Sequence, residues 1–261
     1  MVAIGGTTGS TGSSRGDDDV MKVAKHQSLA QEIVDRLELE TEPVALTYVD
    51  EAPAGVEMLS GEFPSSCSLW RRAEQGTFYA PAEKHFNCAV GARVMGFELP
   101  DMVRESLAGV VRMMSEAGYI GADEPERMPA VGDHHRGVVY GPLRTLPLPA
   151  DLVLLWLTPR QAMLFNEAAG DVPWSSGTHM AALGRPACAA LPIARSESKP
   201  TISFGCLGMR TFTEISNDRL LAVVPGQELE GFVDRLRGTV AANDTMAAVY
   251  GSMKAQFKGS Q

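Results

Sequence analysis

The sequence is short of basic residues: 23 Lys and Arg stand against 32 Asp and Glu, a net charge of −9 at pH 7. A sequence-independent grip on nucleic acid or on anionic lipid is therefore not expected. Long apolar runs are also missing. The longest, Leu152 to Leu157, has the length of a strand, so no transmembrane helix is expected and a membrane partner is excluded. The N-terminal stretch lacks a basic start and an apolar core, so it does not read as a secretory signal. A cytoplasmic, reducing location follows, in which the four cysteines stay free of disulfides. No His-Glu-x-x-His, Gly-x-Ser-x-Gly or Walker pattern is present, and no Cys-x-x-Cys.

What is present suits one globular unit: 261 residues, 44% hydrophobic and 21% charged. Residues 1–18, rich in Gly, Ser and Thr and closed by Asp17, Asp18 and Asp19, read as a disordered tail, and 19–261 as a single domain. Ser28 with Gln31 makes a capping-box pattern ahead of Leu29, Ile33, Val34 and Leu37. The run 44–49 reads as a strand. Spacing predicts a helix over 101–117, and strands near 137–140, 152–157, 201–204 and 220–224. Thr158 and Pro159 open a helix that Gly170 stops. The C-terminal region reads as two helices, one from Gln227 and one over 245–257. Without a strict strand–helix rhythm, the fold class is α+β, a mixed sheet with flanking helices.

A faint self-similarity orders the cysteines. The strand 44–49, Pro53, Cys67 and Cys88 are matched by the strand 152–157, Pro159, Cys188 and Cys206. Gly91 and Arg93 follow the second cysteine of one half, and Gly208 and Arg210 that of the other. Halves of about 40–118 and 137–215 thus read as a pseudo-twofold repeat. A twofold brings two cysteine pairs to one axis, and four thiolates are a soft donor set for an iron–sulfur cluster or zinc. The wide spacing argues against a zinc knuckle. A [4Fe–4S] cluster is the expectation, with Cys67, Cys88, Cys188 and Cys206 as ligands. Gly91 and Gly208 would admit backbone amides, and Arg93 and Arg210 would offset negative charge. The plain alternative makes each cysteine a small buried hydrophobe.

Several further stretches lie in the same order as in a known family. They are Glu42-Pro-Val-Ala45, Gly76-Thr-Phe-Tyr79, Asn87-Cys-Ala-Val-Gly91, Tyr140-Gly-Pro-Leu143, Pro159-Arg-Gln-Ala-Met163, Gly184-Arg-Pro-Ala-Cys188 and Ser203-Phe-Gly-Cys206. On these the chain resembles the family known as domain of unknown function 169, found in archaea and bacteria. The resemblance spans residues 40–250 and includes all four cysteines. It implies a shared role for them and no particular reaction.

A second function class stays open: a metal-free thiol enzyme or small-ligand protein whose reactive group is Cys88 or Cys206, with a thiol pKa lowered by nearby N–H groups. His85, three residues before Cys88, reads as a surface histidine on a polar turn, or else as a thiolate partner. His134 and His135 read as a solvated loop. Arg160, in a first helical turn, suits a carboxylate or phosphate. Met113, Met114, Met163 and Met209 read as core filler. The expected partner is a redox protein or a small-molecule substrate.

Overall fold

A seven-stranded sheet forms the middle layer of the computed structural model, which describes residues 13–121, 123–170 and 182–258. Helix α1 (Ser13–Leu37) leads into β1 (Val44–Val49), α2 (Ser66–Ala73), β2 (Phe78–Pro81), α3 (Ala89–Val94), α4 (Asp101–Glu116) and β3 (Gly137–Pro142). The chain continues through β4 (Leu152–Leu157), α5 (Pro159–Ala169), β5 (Ala182–Leu183), α6 (Ala190–Glu197), β6 (Thr201–Ser203), α7 (Leu207–Thr213), β7 (Leu220–Pro225) and α8 (Leu229–Lys258). The strand order is β2-β3-β1-β4-β7-β6-β5, antiparallel except for the β5–β6 pair. The fold is α+β, with a mixed sheet and flanking helices.

Side chains alternate across each strand, so the sheet has two apolar faces. Val44, Leu46, Tyr48, Val138, Tyr140, Leu154 and Val223 turn to one side, where α2, α3, α6 and α7 cover them. Ala45, Val139, Val153, Leu155 and Val224 turn to the other, under α1, α5 and α8. Capping agrees with the sequence at α5: the Thr158 hydroxyl accepts from the Gln161 N–H, and Gly170 closes the helix at φ 90°.

The register carries a symmetry. Val44 of β1 faces Pro142 of β3, and Leu152 of β4 faces Pro225 of β7, so both ladders start at the same point. Phe78 pairs with Tyr140, and Thr201 with Val223, each two residues before that proline. The β1–β4 pair is antiparallel, so a twofold normal to the sheet relates β2-β3-β1 to β6-β7-β4. The repeating units are therefore 44–142 and 152–225. The boundaries 40–118 and 137–215 misplace β3, which belongs to the first unit because it pairs with β1 and β2.

Two other expectations need correction. Helix α1 begins at Ser13, so Asp17, Asp18 and Asp19 are helical rather than disordered, while residues 1–12 lie outside the described residues. Once Leu29, Ala30, Ile33 and Leu37 are packed, adding outer turns costs little. The C-terminal region is one helix, not two. Asn243 Nδ2 donates to the Thr239 carbonyl at 3.0 Å and the Thr245 hydroxyl to that of Ala241 at 2.9 Å. Polar residues that read as a break thus bond back along the same helix.

Candidate functional site

All four cysteines lie on the sheet face covered by α2, α3, α6 and α7. Cys67 is in the first turn of α2, whose N-cap Ser65 accepts from the Ser68 N–H. Cys188 sits in the short 3-10 turn Ala187–Ala189 that opens α6. Both are buried. Cys88 and Cys206 are the N-caps of α3 and α7 and are half-buried. Each sulfur accepts from the backbone N–H three residues on: Gly91 to Cys88 at 3.3 Å and Met209 to Cys206 at 3.4 Å. The second cysteine of each half is thus held in the same way, by the geometry that serves Ser or Asp at other helix starts.

The halves meet crosswise. Helix α2, with Cys67, packs against α7, with Cys206, and the Ser68 hydroxyl donates to the Phe212 carbonyl at 3.2 Å. Helix α3, with Cys88 at its cap, packs against the turn that holds Cys188. The first cysteine of each half therefore lies against the helix of the other half's second cysteine. Their electrostatics agree. Burial pushes the Cys67 thiol well up, and the neighbouring Cys188, Cys206 and Cys88 add to the rise. Cys188 is raised by burial and then by Cys88 and Cys206. Like charges so close disfavour four bare thiolates.

Burial also raises Cys88, against the lowering pull of the Gly91 and Ser66 N–H groups. That runs opposite to the lowered pKa a reactive Cys88 nucleophile requires. Among the described residues no three His, Cys, Asp or Glu side chains are grouped so as to hold a metal ion. A lone tetrahedral zinc would draw its sulfurs to within about 4 Å of one another. The four thiols are soft donors, and three of them are near enough to raise the pKa of the fourth, Cys67.

The glycines differ. A methyl on Gly91 would lie 2.6 Å from Ser66 Oγ and 3.1 Å from Cys88 Sγ, so only glycine fits. At Gly208 the nearest atom is Phe212 Cε2 at 3.9 Å, and the donor to Cys206 is Met209, so no close approach requires that glycine. The arginines part company too. Arg210 donates to the carbonyls of Phe204 at 2.7 Å, Arg219 at 3.1 Å and Ser216 at 3.2 Å, so it knits the α7 loops together. Arg93 is exposed on α3 and lines a separate cleft.

His85 is not at the surface. It is 1% exposed, and its ring lies 4.5 Å from that of Phe97. Nδ1 donates to the Pro81 carbonyl at 3.2 Å, since a carbonyl can only accept, and Nε2 then accepts from the Tyr140 hydroxyl at 3.0 Å. Burial lowers its pKa to about 4. It is a neutral core histidine, not a partner for Cys88. His135 stacks on Tyr48 at 5.0 Å rather than standing in solvent, Arg160 is already paired with Glu38 at 3.2 Å, and Met113 and Met163 are exposed.

Sequence reasoning passed over Ser66. Its hydroxyl, 1% exposed, sits by Cys88 and Gly91 and has no hydrogen-bond partner. The serines around Cys67 were its only signal: Ser65, Ser66 and Ser68 belong where a helix begins.

The family model of DUF169, described as Uncharacterised ArCR, matches residues 32–235. The chain belongs to the DUF169 family. That match contains both strand triplets, the cysteine-bearing helices and all four thiols, so the symmetric core is the DUF169 unit. No curated protein and no solved structure matches the chain. No helix among the described residues is long and apolar enough to cross a membrane.

Proposed function

We propose that this DUF169 protein holds a thiolate-ligated cluster of the [4Fe–4S] kind where its two halves meet, and that it works in electron transfer, redox sensing or a reductive reaction. The observation that supports the reading is the crosswise packing of α2 on α7 and of α3 on the Cys188 turn. Cys67, Cys88, Cys188 and Cys206 would be the ligands, two from each half. Such a cluster supplies one-electron chemistry when bound. The protein's part is to present and insulate the sulfurs. Cys67 and Cys188 sit in the apolar layer under the sheet, with pKa values well above that of a free thiol, so loading displaces their protons. Gly91 keeps room beside Cys88, whose sulfur the Gly91 N–H already meets. The unpartnered Ser66 hydroxyl is a hydrogen-bond donor in reserve beside that sulfur. A reducing compartment such as the cytoplasm keeps the thiols free, and a redox protein or a small-molecule substrate would exchange the electrons.

The test is anaerobic purification, reconstitution with iron and sulfide, and assay of both together with visible absorbance. Broad absorbance near 400 nm and about four irons per chain are expected. Cys88→Ser and Cys206→Ser should abolish both, while Cys67→Ser and Cys188→Ser leave a labile remnant. A colourless protein with less than one metal equivalent, or equal retention in all four variants, overturns the proposal.

A further inference from the structure

A cleft of about 540 Å³ lies between α4 and the segment that follows α3, away from the four cysteines. Its walls are apolar. Phe97, Leu99 and Val131 are buried residues that face it. Helix α4 contributes Leu107, Ala108 and Val111, yet none of its side chains is fully buried. The helix therefore roofs the space rather than filling it. At the floor Gly96, at φ 82°, lets the chain pass close to Val131, where a methyl would stand 2.7 Å from the Val131 carbonyl oxygen.

The polar groups at the rim are not equivalent. Arg104 is committed to the Leu99 carbonyl and to Asp101. His134 is exposed, and its Nδ1 lies 3.3 Å from the Gly96 carbonyl oxygen. Glu98 is exposed. Arg93 is exposed and, among the described residues, makes no side-chain hydrogen bond or ion pair. It is a free guanidinium at the mouth of an apolar cavity, in a chain whose net charge is −9. A planar fork of N–H donors matches a carboxylate, and a cavity of this size takes a small organic molecule.

We propose that the α3–α4 cleft binds a small apolar carboxylic acid, with Arg93 holding the carboxylate and Phe97, Leu99 and Leu107 the hydrocarbon. The site is independent of the cluster, although α3 joins them: Cys88 caps one end of that helix and Arg93 lies near the other.

The experiment uses the full chain with octanoate as probe, followed by calorimetry, beside octanol and octylamine as neutral and cationic counterparts. Octanoate is expected to bind at millimolar concentration or below, and more tightly than either counterpart. Arg93→Ala, at an exposed position, should weaken octanoate roughly tenfold while leaving octanol unchanged. Leu107→Trp, which fills the cavity, should weaken octanoate and octanol alike. Both variants are checked for an unaltered circular dichroism spectrum, and Arg93→Lys supplies a folded second reading at the rim. No octanoate binding, equal affinity for octanol, tighter binding of octylamine, or an Arg93→Ala affinity equal to the parent's would each overturn the proposal.

Discussion

The two halves share a skeleton and differ in what hangs from it. In both, a central strand leads to a cysteine on a helix start, then to an outer strand, then to a cysteine that caps a short helix, then to the strand between. In the second half α7 turns almost at once into β7. In the first, α4 and a long loop intervene between α3 and β3 and enclose the apolar cleft. The second half places its extra helix, α5, earlier, on the opposite face of the sheet. What the halves keep in common is the sheet register and the cysteines; what they do not share is the peripheral material. The four thiols thus belong to the symmetric part, and the α3–α4 cleft to the asymmetric one.

The largest difference between the halves that is open to measurement is His85, a buried imidazole carried only by the 3-10 turn after β2. Its folded-state pKa is about 4, against 6.5 for the free ring. Between those values the unfolded chain binds a proton that the folded chain refuses. Stability should therefore fall as pH drops from about 6.5 toward 4, by about 3 kcal/mol from this residue. His26, also lowered by burial, adds in the same direction. Urea unfolding at pH 7 and pH 4.5 checks this, and His85→Gln should flatten the dependence. An equally steep loss in that variant would place the pH sensitivity elsewhere.

A sharper contrast comes from equivalent glycines. Gly91→Ala drives a methyl into Ser66 Oγ and Cys88 Sγ and should cost about 2 kcal/mol. Gly208→Ala enters open space in a helical turn and should stabilise by about 0.5 kcal/mol. Thermal unfolding of the pair decides it; effects of the same sign would mean that the two sites are not built as described.

A smaller loss than that of Gly91→Ala belongs to α5, which has no counterpart in the first half. Thr158→Ala removes the acceptor for the Gln161 N–H and should cost about 1 kcal/mol. A loss below a few tenths would mean that packing of Phe165 and Ala168, not the cap, holds this helix.

Local features were legible in the sequence and distant ones were not. The strands 44–49 and 152–157, α4 and the Thr158 cap could be read because short-range spacing and capping chemistry dictate them. The order of the cysteines could be read as a repeat, since matched strands preceded them. The unit boundaries could not, because β3 joins β1 through a register that only the folded sheet defines. His85 followed a proline on a polar turn, and its burial is decided by Tyr140 and Phe97, which are distant in sequence. Arg93 read as a counter-charge from its closeness to Cys88 in the chain; the helix turns it to another surface. Gly208 matched Gly91 in letter but not in surroundings.

The strand order also sets how the chain reaches its fold. β1 must wait for β3, and β4 for β7, so loops of many residues close before any ladder rewards them. Folding dominated by such remote pairings runs in milliseconds to seconds. During synthesis, at about 5–20 residues per second, β1, β2 and β3 are all complete once Pro142 has emerged, well before β7 exists. For the roughly 1–3 seconds until Leu157 follows, the free edge of β1 has no neighbour, since β4 is its native cover. The nascent first half is thus the stage most exposed to mispairing, and the arrival of β4 ends that exposure.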